Sequence, residues 1–423
     1  MKKLLHLPEH YDLVVGDTFE LFYKGITYCV TSDVYDYVLR YDDKKNRGKA
    51  FARKYVFTPT EEDIGTHTLY IAVYDNTGEV IERGSVEIRV VDKPKSQVEE
   101  RTVLLIGDSL TGPGIWPAEL GRRLLSTGGT PEGDGLMGVR FIGSKERDGI
   151  PYEGYGGWDY VSYTTDYKRG CFMILSGDFR DKKEETDRHS MWRDEAGALW
   201  KLEWITATEM KVIATHAATK LPDTKGRLTH VSGGMNTADI VFTDARHAHA
   251  NPFFNVEKGE NDFHAYVERF GAKRIDEVVI LLGWNHHSPP DDFLTLVRPL
   301  LDSILGAFPD CHIGLVGLQI PSRDGFAVHY GIAWPWFSKL DKVFSYEDAY
   351  RSLTAEPPYA GRVSVISLAG QYDTVNNSVT VEMPLNNRNP KTEPIQCDGV
   401  HCAATGYLQI ADAVYRYLAT RLQ

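Results

Sequence analysis

The sequence predicts an α/β protein organised on a parallel sheet, with one β-rich module ahead of that sheet and a second β-rich segment inserted into it. Three observations carry this prediction. Residues 103–106 are consecutive apolar residues without polar alternation, the pattern of a strand buried on both faces. Apolar runs follow at residues 139–143, 277–282, 312–318 and 363–368, with helical patterns among them, which gives a five-stranded parallel sheet. Before residue 92 the runs are short, alternating and divided by turns, as in a β-sandwich.

In the N-terminal region the runs fall at residues 18–23, 35–39, 54–57, 67–74 and 85–91. Leu69, Ile71 and Val73 share one face, as do Val86, Ile88 and Val90, and the hairpin turn between these two runs is formed by Asp75, Asn76, Thr77 and Gly78. This predicts a sandwich over residues 1–95, a polar, proline-bearing linker at 92–100, and an α/β domain over 101–423. The sandwich has two readings, a structural or docking module and a sugar-binding one that uses exposed tyrosines.

After the first parallel strand, residues 117–125 have helical spacing, with Pro117 suited to a first turn. Residues 165–250 read as a β-rich segment, with strand-like runs at 198–205, 210–214 and 238–242 and a turn at 221–226. His247 and His249 would share a strand face as a metal pair, but no third ligand is identifiable and no metal is assigned. Helices are expected near 262–270, at 293–308 and at 407–422, the last with apolar Leu408, Ile410, Ala413 and Tyr417 or Leu418. The segments 321–359, with Trp334, Trp336 and Phe337, and 371–396 are candidates for a substrate rim, and Arg323, Arg388 and the aromatics there fit packing equally well.

Composition excludes several classes. The 423 residues are 42% hydrophobic and 25% charged, an ordinary globular mixture, and exceed one ordinary core. A net charge of -12 argues against nucleic acid or an anionic membrane as partner. Five scattered cysteines make no disulfide framework; Cys397 and Cys402 could pair or bind metal, or be two small buried thiols. The first residues begin like a signal peptide but lack its apolar stretch of about 7 to 15 residues, and no run approaches the roughly 18 of a membrane span. The expected location is cytoplasmic as the chain stands, or secreted or periplasmic if a leader is missing. Oligomeric state stays open.

Two motifs point to chemistry. The first parallel strand stops at Gly107, Asp108, Ser109 and Leu110, which places Ser109 at the carboxyl edge, where open α/β sheets bind ligands. Taken alone, the tetrapeptide fits a turn with a capping serine just as well. At the other end of the chain, Asp398 and His401 sit three residues apart in front of the last helix. An acyl-transfer serine needs a base, and the base needs an acceptor that fixes its tautomer, so Asp398 and His401 could supply both. The alternative is a helix cap followed by a first-turn histidine.

With these motifs the chain resembles the SGNH, or GDSL, hydrolases, whose fold is a flavodoxin-like three-layer α/β/α sandwich. Ser109 matches the nucleophile block, and Asp398 and His401 match the closing block. Gly157, beside Tyr155, Gly156 and Trp158, matches the oxyanion glycine, with Gly156 or Gly154 as alternative alignments. Asn285, between Trp284 and His286, matches the block asparagine. Two departures are that His286, followed by His287, stands where the family has an aspartate, and that the stretch from Gly157 to Asn285 is far longer than the family's, which implies that the β-rich segment at about 165–250 is an insertion walling the cleft. The resemblance implies a serine ester hydrolase that forms an acyl-serine on Ser109, with the oxyanion held by the amides of Ser109 and Gly157 and by the Asn285 side chain, and with no cofactor. Tyr155, Trp158, Trp284 and His286 are candidate substrate contacts, Tyr155 and Trp158 equally candidates for the core. The expected substrate is a small-molecule or polysaccharide ester, above all an acetylated carbohydrate. The alternatives are a lipid or thioester acylhydrolase and a non-catalytic glycan-binding protein with a vestigial site. Intact Ser109, Asn285, Asp398 and His401 speak against the last.

Overall fold

A computed structural model describes residues 3–29, 32–95, 97–175, 189–204, 209–216, 225–231, 237–255, 257–286, 288–330 and 336–423. The protein is a mixed α/β structure with several sheets. Residues 1–157, 272–295 and 308–423 form one compact unit, and residues 158–271 with 296–307 form a second.

At the centre of the first unit lies the strand Gln97–Gly107, whose apolar run Val103, Leu104, Leu105 and Ile106 is wholly buried. It pairs in parallel with Glu277–Leu281 on one side, and that strand continues in parallel to His312–Val316 and then Val363–Ile366. On its other side two strands share one edge. Met137–Ile142 pairs in parallel with its earlier part, and Ile150–Gly154 takes over at Ile106 and Gly107. Lys145–Arg147 adds an antiparallel edge to Ile150–Gly154. The sheet therefore has seven strands where the sequence suggested five. The two extra strands come from a hairpin whose Pro151, Glu153 and Gly154 do not read as strand.

Among the described residues the helices are α1 (Ile115–Leu125), α2 (Tyr160–Thr164), α3 (Phe263–Glu268), α4 (Pro290–Ala307), α5 (Arg323–Tyr330), α6 (Trp336–Thr354) and α7 (Ala404–Arg421). Helices α5 and α6 occupy much of the segment proposed as rim. Along α7, Ile410, Ala413, Val414 and Leu418 are buried, whereas Leu408 is 39% exposed and lies off the apolar stripe. The other rim segment is a hairpin, Thr380–Asn386 with Asn389–Gln396, exposed over most of its length. No described helix is long and apolar enough to cross a membrane.

The N-terminal module consists of a four-stranded sheet, ordered His10–Val14, Val80–Val91, Gly65–Tyr74 and Asp36–Tyr41, and a three-stranded sheet of Phe19–Phe22, Lys54–Phe57 and Lys49–Ala50. Both contribute to one apolar core, where Leu13, Phe19, Leu21, Leu69, Ile71, Val73, Val86, Ile88 and Val90 meet Ala369 from beyond the last parallel strand. A cleft of ≈ 810 Å³ beside Tyr41, Tyr55 and Tyr70 contains none of the proposed site residues. The expected linker is short, because strand structure resumes at Gln97.

Polar contacts fix the module to the parallel-sheet part of the unit. The Tyr11 hydroxyl donates to the Ala369 carbonyl at 2.7 Å, and the Phe22 amide donates to the Gly370 carbonyl at 2.7 Å. Asp17, 3% exposed, is held by two buried arginines, Arg123 of α1 and Arg416 of α7, the latter at 2.7 Å. Arg416 also donates to the Gln371 side chain at 2.9 Å and to the Thr18 carbonyl at 2.8 Å.

The second unit contains a closed antiparallel barrel formed by Lys168–Leu175, Glu209–His216, Leu199–Trp204, His189–Asp194, Lys225–His230 and Thr237–Ala250, in that spatial order. Trp192, Trp200, Leu202, Met210, Leu228 and His230 are buried, and Trp192 faces Trp200 and His230 across neighbouring strands. Most of the expected turn at 221–226, the side chains of Cys171 and of residues 246–249, and residues His287 and Trp334 lie outside what is described.

Removing the shared acid leaves two buried guanidinium groups without it, and breaking a buried pair costs about 3 to 5 kcal/mol. Asp17→Ala should therefore lower the unfolding free energy by about that much in urea titrations. An unchanged midpoint and slope would show that the network does not hold the module.

Candidate active site

The pairing register at Gly107 sets the site. Gly154 on one side and Leu281 on the other are its partners, so residues 155–157 and 283–285 leave the sheet on both flanks of Asp108 and Ser109. A side chain at Gly107 would place its Cβ 1.9 Å from Thr111 Oγ1 and 2.9 Å from the Leu281 carbonyl oxygen, so the strand end closes only around glycine. The turn after it is tight, with the amides of Thr111 and Gly112 donating to the Asp108 carbonyl at 3.1 and 2.8 Å. Gly157 has φ of 78°, in the left-handed region that favours glycine, and is exposed.

Ser109, His401 and Asp398 meet in one chain of contacts. Ser109 Oγ lies 2.9 Å from His401 Nε2, and His401 Nδ1 lies 2.9 Å from Asp398 Oδ2. The other Asp398 oxygen accepts from the amides of Val400 and His401 at 2.8 and 2.9 Å, so the spacing of the motif closes on itself. Burial works to raise the Asp398 carboxyl, but the hydrogen bonds from the His401 ring and from the two amides prevail and hold it well below the usual carboxylate range. His401 is raised above the ordinary imidazole value by its bond to Asp398, against the pull of burial.

Each shift has a direction in stability. Folded His401 lies above 6.5, so its contribution is complete below that pH and is lost as pH rises through the folded value. Folded Asp398 lies below 3.8, so its contribution is present above that pH and is lost as pH falls through the folded value.

Asn285 Nδ2 donates to Asp108 Oδ2 at 3.4 Å, which fixes the donor end of its amide. Asp108 is wholly buried; burial raises its carboxyl to about 7, with the Leu110 amide and the charges of His401 and Lys342 opposing. The sequence reading gave Asp108 no role, although it stands inside the serine motif. It also passed over Gln319, which accepts from Trp284 Nε1 at 3.0 Å and donates to the Val400 carbonyl, joining the Asn285 turn to the His401 segment. A polar residue ending an apolar strand was the available signal.

The proposed aromatic contacts need correction. Tyr155, Trp158, Trp284 and His286 are each at most 4% exposed, so none presents a free ring to a sugar. The Tyr155 hydroxyl donates to buried Glu153 at 2.5 Å, and Trp158 packs edge-on to Tyr163 and Tyr167. His286 packs edge-on to Phe293. Cys397 and Cys402 are both unpaired thiols, and no described cluster of three or more His, Cys, Asp or Glu could hold a metal.

No family model and no curated protein matches the chain. Solved structures similar to it include a carbohydrate esterase of family 3 from Talaromyces cellulolyticus, with TM-score 0.33 and 13% identity, covering 76% of this chain and 98% of that one. A family two carbohydrate esterase from Clostridium thermocellum, in complex with cellohexaose, gives 0.31 and 10%, covering 96% and 87%. A peptidoglycan O-acetylesterase gives 0.33 and 14%, covering 77% and 92%. At scores of this size the fold and the site rest on this chain's own topology and distances.

His401 should titrate above 6.5 by NMR. In Asp398→Asn the largest raising cause is removed while burial remains, so the midpoint should fall; a midpoint that stays in place would uncouple the two side chains.

Proposed function

We propose that the protein is a serine ester hydrolase that removes acetyl groups from carbohydrate through an acyl-serine intermediate. The observation that carries this reading is the unbroken contact from Ser109 Oγ through His401 to Asp398, at 2.9 Å on both sides of the ring. His401 Nε2 takes the Ser109 proton as Oγ attacks the ester carbonyl, and the imidazolium is stabilised by Asp398. The tetrahedral oxyanion is held by the amides of Ser109 and Gly157 and by the Asn285 side chain. His401 then protonates the leaving alcohol, and a water, deprotonated in turn by His401, releases the acid from the acyl-serine.

Support for a small acyl group comes from the burial of Tyr155, Trp158 and Trp284, whose rings fill packing rather than line an acyl groove. Support for a polar alcohol comes from the exposed hairpin ahead of Asp398, which carries Glu382, Asn386, Asn389 and Lys391. Its base is tied to the histidine segment by the bridge between Ser378 and Cys402.

Acetate release from 4-nitrophenyl acetate and from acetylated xylan should fall at least about 1000-fold in Ser109→Ala. Preference for a longer-chain ester would move the substrate to lipid, and equal activity of wild type and Ser109→Ala would end the serine mechanism. Asn285→Ala should lose about 100- to 1000-fold in kcat with little change in KM, as expected for an oxyanion donor; an unchanged kcat would remove that role.

A further inference from the structure

The turn that carries Asn285 is gripped from one helix. Lys342 Nζ, on α6, donates to the Trp284 carbonyl at 2.7 Å and to the His286 carbonyl, the two carbonyls that bracket Asn285. Four residues on, the Tyr346 hydroxyl donates to the Ser288 carbonyl at 2.8 Å; four further on, the Tyr350 hydroxyl donates to the Leu282 carbonyl at 3.1 Å. Positions 342, 346 and 350 lie on one face of a helix, so the three donors form a ladder along α6 aimed at residues 282–288. The contact that Asn285 makes with Asp108, at 3.4 Å, is longer than any of the measured rungs.

Lys342 is an unusual residue to bury. Its head lies 5.3 Å from the ring centroids of both Trp284 and Tyr346, and burial lowers its ammonium to about 7, with Lys339 adding to the shift and Asp108 opposing it. An ammonium inside a protein is retained where its hydrogen bonds offset desolvation, and here they go to the turn on which His286 replaces the expected aspartate.

We propose that Lys342 is the positioning residue of the oxyanion site, holding both carbonyls around Asn285 so that its side-chain amide stands ready for the tetrahedral intermediate, with Tyr346 and Tyr350 extending the grip. This rests on the esterase reading above. Lys342→Met keeps the aliphatic stem and removes the donors, leaving two carbonyls to find other partners and the turn to shift. Displacement by about 1 Å at a reacting centre can cost about 100-fold in rate.

The test is a double-mutant cycle on 4-nitrophenyl acetate. Lys342→Met should lower kcat by about 10- to 100-fold, with KM within about threefold of wild type. In an Asn285→Ala background the same substitution should cost less than about threefold, because the group it positions is gone. Equal losses in the two backgrounds, or a change confined to KM, would overturn the proposal. Tyr346→Phe deletes a single hydroxyl and serves if Lys342→Met does not fold; its smaller kcat loss should likewise vanish without Asn285, and persistence there would count against the ladder. A wild type without Ser109-dependent turnover would overturn the esterase reading itself, an outcome distinct from a working enzyme that lacks the coupling.

Discussion

The hydrogen-bond ladder on both sides of Gly107 is the constraint from which the site follows. The strands are parallel, so the chain leaves Gly107, Gly154 and Leu281 in the same direction, and Ser109, Gly157 and Asn285 lie within four residues of those three positions. Had one neighbour been antiparallel, its following loop would have emerged at the opposite edge. His401 arrives by a different route, on the loop before α7, and that loop is shaped from within by the amides of Val400 and His401 donating to Asp398. The site thus combines a long-range arrangement set by the sheet with a short-range one closed by four consecutive residues.

Buried charge recurs in two forms with different physics. Asp17 is an acid neutralised by guanidinium groups from two helices, an arrangement that ties three distant stretches of chain together. Asp108 is instead surrounded by weaker partners, an amide at 2.9 Å and the Asn285 side chain at 3.4 Å, and burial leaves its carboxyl raised to about 7. The first group is a fastening. The second keeps a polar anchor under the Ser109 turn without a fixed counter-charge in direct contact.

Much of this arrangement was legible in sequence, for physical reasons. Strands at 277–281 and 312–316 stood out because burial on both faces removes polar alternation. Asp398 and His401 could be joined on paper because three residues of loop span one hydrogen-bonded turn. Other parts were hidden. The strand Ile150–Gly154 contains Pro151 and the buried, hydrogen-bonded Glu153, so it reads as loop. Helix α6 buries Lys339, Lys342 and Glu347 among its apolar residues, which erases the amphipathic stripe that would have marked it. Aromatic residues near the glycines suggested a sugar platform because a sequence shows ring identity but not which way a ring faces; Tyr155 and Trp158 face inward. The barrel closes by pairing its first and last strands, a non-local contact that no local pattern encodes.

The shared core of the N-terminal module bears on how the molecule is made. Its apolar interior includes Ala369, and its buried Asp17 meets Arg416 near the other end of the chain. The strands within residues 10–91 pair within that stretch, yet their core and the Asp17 network are completed only by Ala369 and Arg416, contacts of high sequence separation that are slow to form. Its consolidation is therefore expected late in folding, because it requires Ala369 and Arg416 of the parallel-sheet part to be in place around residues near the start of the sequence.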